Sequence, residues 1–106
     1  MTEDVFVALA DPTRRAVLDL LATRGEGTAT TLAAELPVSR VAVIKHLAVL
    51  DRAGLVQSRR AGREVRFAVR PAQLQATASW LNKLAADWDS RLAMIKRMAE
   101  GDAPRS

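Results

Sequence analysis

Apolar side chains recur at helical spacing along most of the chain, broken at points that carry stop signals. Val5, Phe6, Ala8 and Leu9 predict a short first helix with one apolar side. Ala16, Val17, Leu20 and Leu21 predict a second. Asp11 suits its N-cap, Pro12 suits the first helical position, where a missing N–H costs nothing, and Gly25 and Gly27 end it. A third segment opens at Thr28 and places Leu32, Ala33 and Leu36 on one side, until Pro37 disfavours helix at Leu36. Ser39 caps a fourth helix that runs to about residue 53, with Ala42, Val43, Leu47 and Leu50 on its core side. Gly54 follows, and Leu55 is placed to contact Leu50 as in a Schellman ending. Two helices joined by a tight turn make a helix-turn-helix pattern.

From Leu55 the period changes. A basic stretch leads to a turn at Ala61-Gly62, after which Val65, Phe67 and Val69 alternate with Glu64, Arg66 and Ala68, the pattern of a half-buried β-hairpin. A helix-turn-helix followed directly by a basic hairpin is a winged-helix pattern. Pro71 opens the last element, in which Leu74, Ala78, Leu81, Ala85, Trp88, Leu92, Ile95 and Ala99 repeat at alternating steps of four and three. A helix over residues 72–99 would be ~42 Å long at about 1.5 Å per residue. Trp80, Leu84, Met94 and Met98 add a second apolar side, more than one small domain is expected to cover, so a partner helix from a second copy is predicted. The alternative is a helix folded back on its own core. The fold class that follows is mainly α with a small β-hairpin: a single winged-helix domain over residues 1–100, a dimerisation helix over 71–100, and a frayed tail over 101–106.

Charge alters this picture. The net charge is +4, but residues 1–38 balance at −3, residues 39–70 at +6 and residues 71–106 at +1. A solvated face is the plain account of a charge run. A segment this one-sided, beginning at the fourth helix, suits a polyanion better, and double-stranded DNA is the expected partner. There is no cysteine and only one histidine, so disulfides and thiol nucleophiles are excluded and no cofactor or clustered metal site is expected. No serine lies in a strand-turn-helix elbow, no glycine pattern cradles phosphate, and Asp87 and Asp89 point to different sides of a helix, so an enzyme is not expected. No segment is apolar and long enough to span a bilayer and no run resembles a signal peptide, so the expected location is cytoplasmic.

The side of the fourth helix opposite its core residues carries Arg40, Val41, Ile44, Lys45 and Ala48. Arg40, Val41 and Ile44 lie in the early turns, where recognition helices meet base edges. Arginine can bond guanine bidentately, Val41 and Ile44 can meet thymine methyls, and Lys45 can reach phosphate. Ser39 has a structural duty as cap, and a helix N-terminus also suits phosphate. His46 is either a packed histidine beside the core or a phosphate contact. In the hairpin, Arg59, Arg60, Arg63 and Arg66 surround the turn; one or two could simply solvate the strands, but all four are expected to reach the DNA backbone or minor groove, Arg60 and Arg63 at the tip above all. Arg14 and Arg15 start the second helix, and Asp19 is placed to pair with Arg15.

The segment "ALADPTRRAVLDLLA", residues 8–22, resembles the opening helix motif of the ArsR-type (arsenic-repressor) winged-helix regulators. The segment "LAAELPVSRVAVIKHLAVLDRAGLVQSRRAGREVRFAV", residues 32–69, resembles their helix-turn-helix and wing. The tail, with Trp80, Trp88 and "WDSRLAMIKRMAEG", is similar to a metal-independent branch. The resemblance implies a homodimeric transcriptional repressor on an inverted repeat, with the first and last helices at the dimer interface; there the residues are Val5, Phe6, Leu9, Leu74, Ala78, Leu81, Ala85, Trp88, Leu92 and Ile95. Metal-sensing members place cysteines in the third helix or Asp and His in the last. Here the third segment reads "TTLAAEL" and the last helix has no histidine, so those sites are not carried over. Pro and Ser often stand in the family where Val41 and Ile44 stand here, so the operator sequence is not carried over either. Two rivals follow from the same residues. One is a repressor gated by a small apolar effector, itself unknown, near Trp80 and Trp88 at the dimer interface. The other is a winged helix used only for protein–protein contact.

Overall fold

The structure, a computed structural model, describes residues 2–100, with side chains from residue 3 onward. The tail expected over residues 101–106 lies outside the described residues. Five helices and one hairpin follow in order: α1 Thr2–Leu9, α2 Pro12–Arg24, α3 Ala29–Ala33, α4 Arg40–Arg52, β1 Val56–Ala61, β2 Glu64–Val69 and α5 Pro71–Ala99. They fall into two units, one ending at Gln75 and the other starting at Ala76, so the division lies inside α5.

Local chemistry sets the boundaries. Asp11 caps α2 by accepting from the backbone N–H groups of Thr13 at 2.7 Å and Arg14 at 3.2 Å. Thr28 and Thr31 cap α3 reciprocally, each side-chain oxygen accepting from the other residue's backbone N–H. This helix is shorter than the apolar pattern suggests and ends at Ala33 rather than reaching Leu36. Pro37 has no N–H to offer the Ala33 carbonyl and holds Leu36 away from helical angles. Ser39 Oγ accepts from the Ala42 N–H to start α4. At its far end the Leu55 N–H donates to the Leu50 carbonyl and the Gly54 N–H to the Asp51 carbonyl, both at 2.9 Å. With Gly54 at φ 77°, these two bonds form the Schellman ending.

The hairpin is antiparallel, with Arg59 opposite Arg66, Arg60 opposite Val65 and Ala61 opposite Glu64. Its central residues are therefore Gly62 and Arg63, one position later than the turn expected at Ala61-Gly62. Gly62 has φ 66°, the left-handed value that a two-residue hairpin turn with glycine first requires. Phe67 and Val69 pack against the core, while Val65, beside the turn, is exposed. On its other edge β2 is bridged by Gly27, whose N–H donates to the Phe67 carbonyl at 3.0 Å and whose carbonyl accepts from the Phe67 N–H at 2.8 Å. A side chain at this position would meet Leu21 Cδ2 at 3.2 Å and Leu32 at 3.3 Å, which is why the chain passes here as glycine.

The core of the first unit gathers Val17 and Leu21 of α2, Leu32 of α3, Val43, Leu47 and Leu50 of α4, and Leu55 and Val56 leading into the wing. Val5 and Ala8 of α1 join it, both fully buried. This corrects the placement of Val5 at a dimer interface. It faces inward, because α1 is apolar on both sides and Phe6 and Val7 take the outer one. Leu9 and Leu74 are half-buried against the same core, so each has only part of its surface to offer elsewhere. Beyond Gln75, Leu81, Trp88, Leu92 and Ile95 are exposed in the single chain, as are Ala78, Ala85, Trp80, Leu84, Met94 and Met98. Among the described residues no helix is long and apolar enough to cross a membrane.

Candidate nucleic-acid interface

Helix α4 divides as its sequence predicts. Val43, Leu47 and Leu50 are buried, and Arg40, Val41, Ile44, Lys45 and Ala48 are exposed on the opposite side. Val41 is 60% and Ile44 43% exposed, so two β-branched side chains face outward at the start of the helix. Ser39 is exposed, and its hydroxyl is engaged as the cap. Arg40 does not point freely outward: its Nε donates to Thr30 Oγ1 of α3 at 3.0 Å. Between α3, the first turns of α4 and the wing lies an open cleft of about 480 Å³, whose lining includes Thr30, Arg40, Ile44, Arg63, Val65 and Phe67.

The four wing arginines separate into two kinds. Arg59 donates from Nε at 2.9 Å and Nη2 at 3.0 Å to the two carboxylate oxygens of Glu26, in the loop before α3. These bonds hold the Glu26 carboxyl below its ordinary range and raise the Arg59 guanidinium above its own. Arg66 pairs with Glu64 at 3.1 Å and approaches Glu26 at 3.6 Å. Arg59 and Arg66 lie opposite each other in the hairpin and so share a face, which lets one glutamate serve both. Among the described residues neither Arg60 nor Arg63 has a carboxylate partner, and nor does Lys45. The tip of the wing and the outer side of α4 therefore both carry uncompensated positive charge.

His46 is half-buried and faces α2, where its Nδ1 lies 3.4 Å from Nη1 of Arg14. An arginine nitrogen can only donate, so this contact is a hydrogen bond in the tautomer that leaves Nδ1 unprotonated. The same arginine donates from Nε to the Ala8 carbonyl at 2.7 Å and from Nη2 to the Val7 carbonyl at 3.1 Å. Arg15 donates to the Leu9 carbonyl. Helix α1 has no basic residue in its own last turn, and these two arginines take its open carbonyl end instead. The expected Arg15–Asp19 pair does not form among the described residues, because Arg15 is committed to Leu9. Sequence reasoning also missed Glu26 and Thr30. Their partners lie 33 and 10 residues away, beyond any local spacing rule. Among the described residues, no three His, Cys, Asp or Glu side chains converge to hold a metal ion.

A short helix, a turn, a helix with an exposed polar and β-branched side, and a hairpin with free arginines at its tip define a winged helix-turn-helix DNA-binding regulator. The family described as "helix-turn-helix domain" matches residues 9–59. The transcriptional repressor SdpR of Bacillus subtilis (strain 168) is 33% identical over 78 residues, which span 74% of this chain and 86% of that protein. A solved ArsR-like transcriptional regulator from Rhodococcus sp. RHA1 is 46% identical, with a TM-score of 0.84 over 94% of this chain and 93% of that one. The homodimeric winged helix-turn-helix DNA-binding domain of Mb0332 from Mycobacterium bovis, described as a possible ArsR-family regulator, is 29% identical, with a TM-score of 0.64 over 80% of this chain and 77% of that one. The chain belongs to the ArsR-type family of winged helix-turn-helix transcriptional regulators. These relatives are transcriptional regulators and not enzymes.

Proposed function

We propose that this chain is a homodimeric repressor that binds an inverted-repeat operator without a metal effector. The observation that carries the reading is the distribution of uncompensated charge. Lys45, Arg60 and Arg63 stand clear of every carboxylate in the described residues, while Arg59 and Arg66 are neutralised by Glu26 and Glu64. In this reading Lys45, Arg60 and Arg63 meet the phosphate backbone, and Arg40, Val41 and Ile44 meet base edges. Arg59 and Arg66 brace the wing, Ser39 holds the start of α4, and His46 fixes α4 to α2.

Repression is supported by the likeness to SdpR, a transcriptional repressor, and self-association by the homodimeric state of the Mb0332 domain. The exposed apolar residues of α5, chiefly Leu81, Trp88, Leu92 and Ile95, are the surface a second copy would cover. A twofold pair would present two α4 helices to half-sites about one helical turn apart, near 34 Å. Sedimentation equilibrium together with footprinting of the DNA upstream of its own gene tests this. The expected result is a dimer protecting two half-sites in inverted orientation. A monomer at micromolar concentration, or a single unpaired half-site, would overturn it.

A further inference from the structure

Thr30 is the second residue of α3 and Arg40 the first of α4, and the one polar contact between them joins Thr30 Oγ1 to the Arg40 Nε–H at 3.0 Å. A guanidinium has five N–H donors in a rigid plane. Engaging the one on Nε leaves the two terminal nitrogens as a forward-facing fork. It also removes the side-on mode, in which Nε itself would contact a base. A guanine edge in the major groove offers N7 and O6 as two adjacent acceptors, which a terminal fork can match. An exposed arginine otherwise loses rotamer freedom when it engages a ligand, and a bond already made in the free protein lowers that cost. Thr30 is not needed to start its own helix, since Thr28 and Thr31 cap α3 between themselves. Both Thr30 and Arg40 line the cleft shared with Ile44 and Arg63.

We infer that Thr30 is a positioning residue for sequence discrimination, holding Arg40 so that its terminal fork addresses one guanine. This rests on the reading that Arg40 contacts bases. The test uses the full chain and the best duplex selected from random oligonucleotides, with each base pair of a half-site then changed singly. Arg40→Ala identifies the base pair that Arg40 reads. At that pair Thr30→Val lowers discrimination by roughly three- to tenfold, a fraction of what a good bidentate contact supplies. Thr30→Ser restores it, and adding Thr30→Val to Arg40→Ala causes no further loss. Melting temperatures check that the variants fold, and Thr30→Ala replaces the valine if α3 is disturbed. Wild-type discrimination in Thr30→Val, or an equal loss of affinity for every duplex, overturns the inference while leaving base reading by Arg40 intact. If Arg40→Ala changes discrimination at no position, base reading itself fails and the inference falls with it.

Discussion

The Arg14 guanidinium joins three elements: Nη1 lies 3.4 Å from His46 Nδ1 on α4, while Nε and Nη2 hold the Ala8 and Val7 carbonyls at the end of α1. Its side chain is only 16% exposed, and its bonds to Ala8 and His46 are part-buried while that to Val7 is exposed. Arg14→Ala removes the side-chain donor to the Ala8 carbonyl, one of two donors to the Val7 carbonyl, and the contact to His46. The expected cost is ~1–3 kcal/mol in unfolding free energy, read by urea denaturation. His46→Ala removes one of those contacts and is expected to cost less than Arg14→Ala; the reverse order would show that Arg14 does not join the elements as described.

Glu26 restrains two arginines that could otherwise meet DNA. Glu26→Gln keeps the shape but removes the charge that holds Arg59 and draws Arg66. Affinity for unrelated duplexes is expected to rise, and the slope of log affinity against log salt to steepen by about one. Arg59→Ala, by contrast, is expected to change that slope little. Fluorescence anisotropy over a salt series reads both.

Acid stability follows from two carboxyl groups held below their ordinary range. Asp11 is lowered chiefly by the backbone N–H of Arg14, and Glu26 chiefly by the side-chain bonds from Arg59. In both, the unfolded chain takes up protons at higher pH than the folded one. Their contribution is therefore full above the ordinary values of 3.8 and 4.5 and is lost as pH falls through the lowered folded values. Unfolding free energy measured from pH 6 downward is expected to decline through that window, and Asp11→Asn is expected to flatten part of the decline.

The helix that carries the reading side chains is held by its buried ones. Leu47 and Leu50 are at most 1% exposed. Leu47→Ala is expected to cost ~2–5 kcal/mol, a large part of the ~5–15 kcal/mol that stabilises a typical domain. Loss of DNA binding in this variant should track the unfolded fraction. Loss of binding by a fully folded Leu47→Ala chain would mean that the core residue also shapes the interface.

What the sequence made legible was local. The Asp11, Thr28 and Ser39 caps and the Schellman ending at Gly54 depend on residues within a few positions of one another, and all four stand in the structure. The two sides of α4 were legible because a 3.6-residue period separates Val43 and Leu47 from Val41 and Ile44. Contacts between distant segments were not. Nothing near Gly27 announces its bridge to Phe67, and nothing near Arg59 announces Glu26. The inward placement of Val5 could not be read because Val5, Phe6, Val7 and Ala8 give α1 apolar residues all round. The turn falls one residue later than Ala61-Gly62, because the left-handed φ of Gly62 puts it first in the turn.

The most direct test of the division between wing and helix compares wild type, Arg63→Ala and Arg40→Ala on a selected duplex and a scrambled one across a salt series. If the wing anchors and α4 reads, Arg63→Ala weakens both duplexes similarly and lowers the salt slope by about 0.9. Arg40→Ala then narrows the gap between the two duplexes. Equal narrowing by both variants, or an affinity for either duplex that salt does not change, would contradict it.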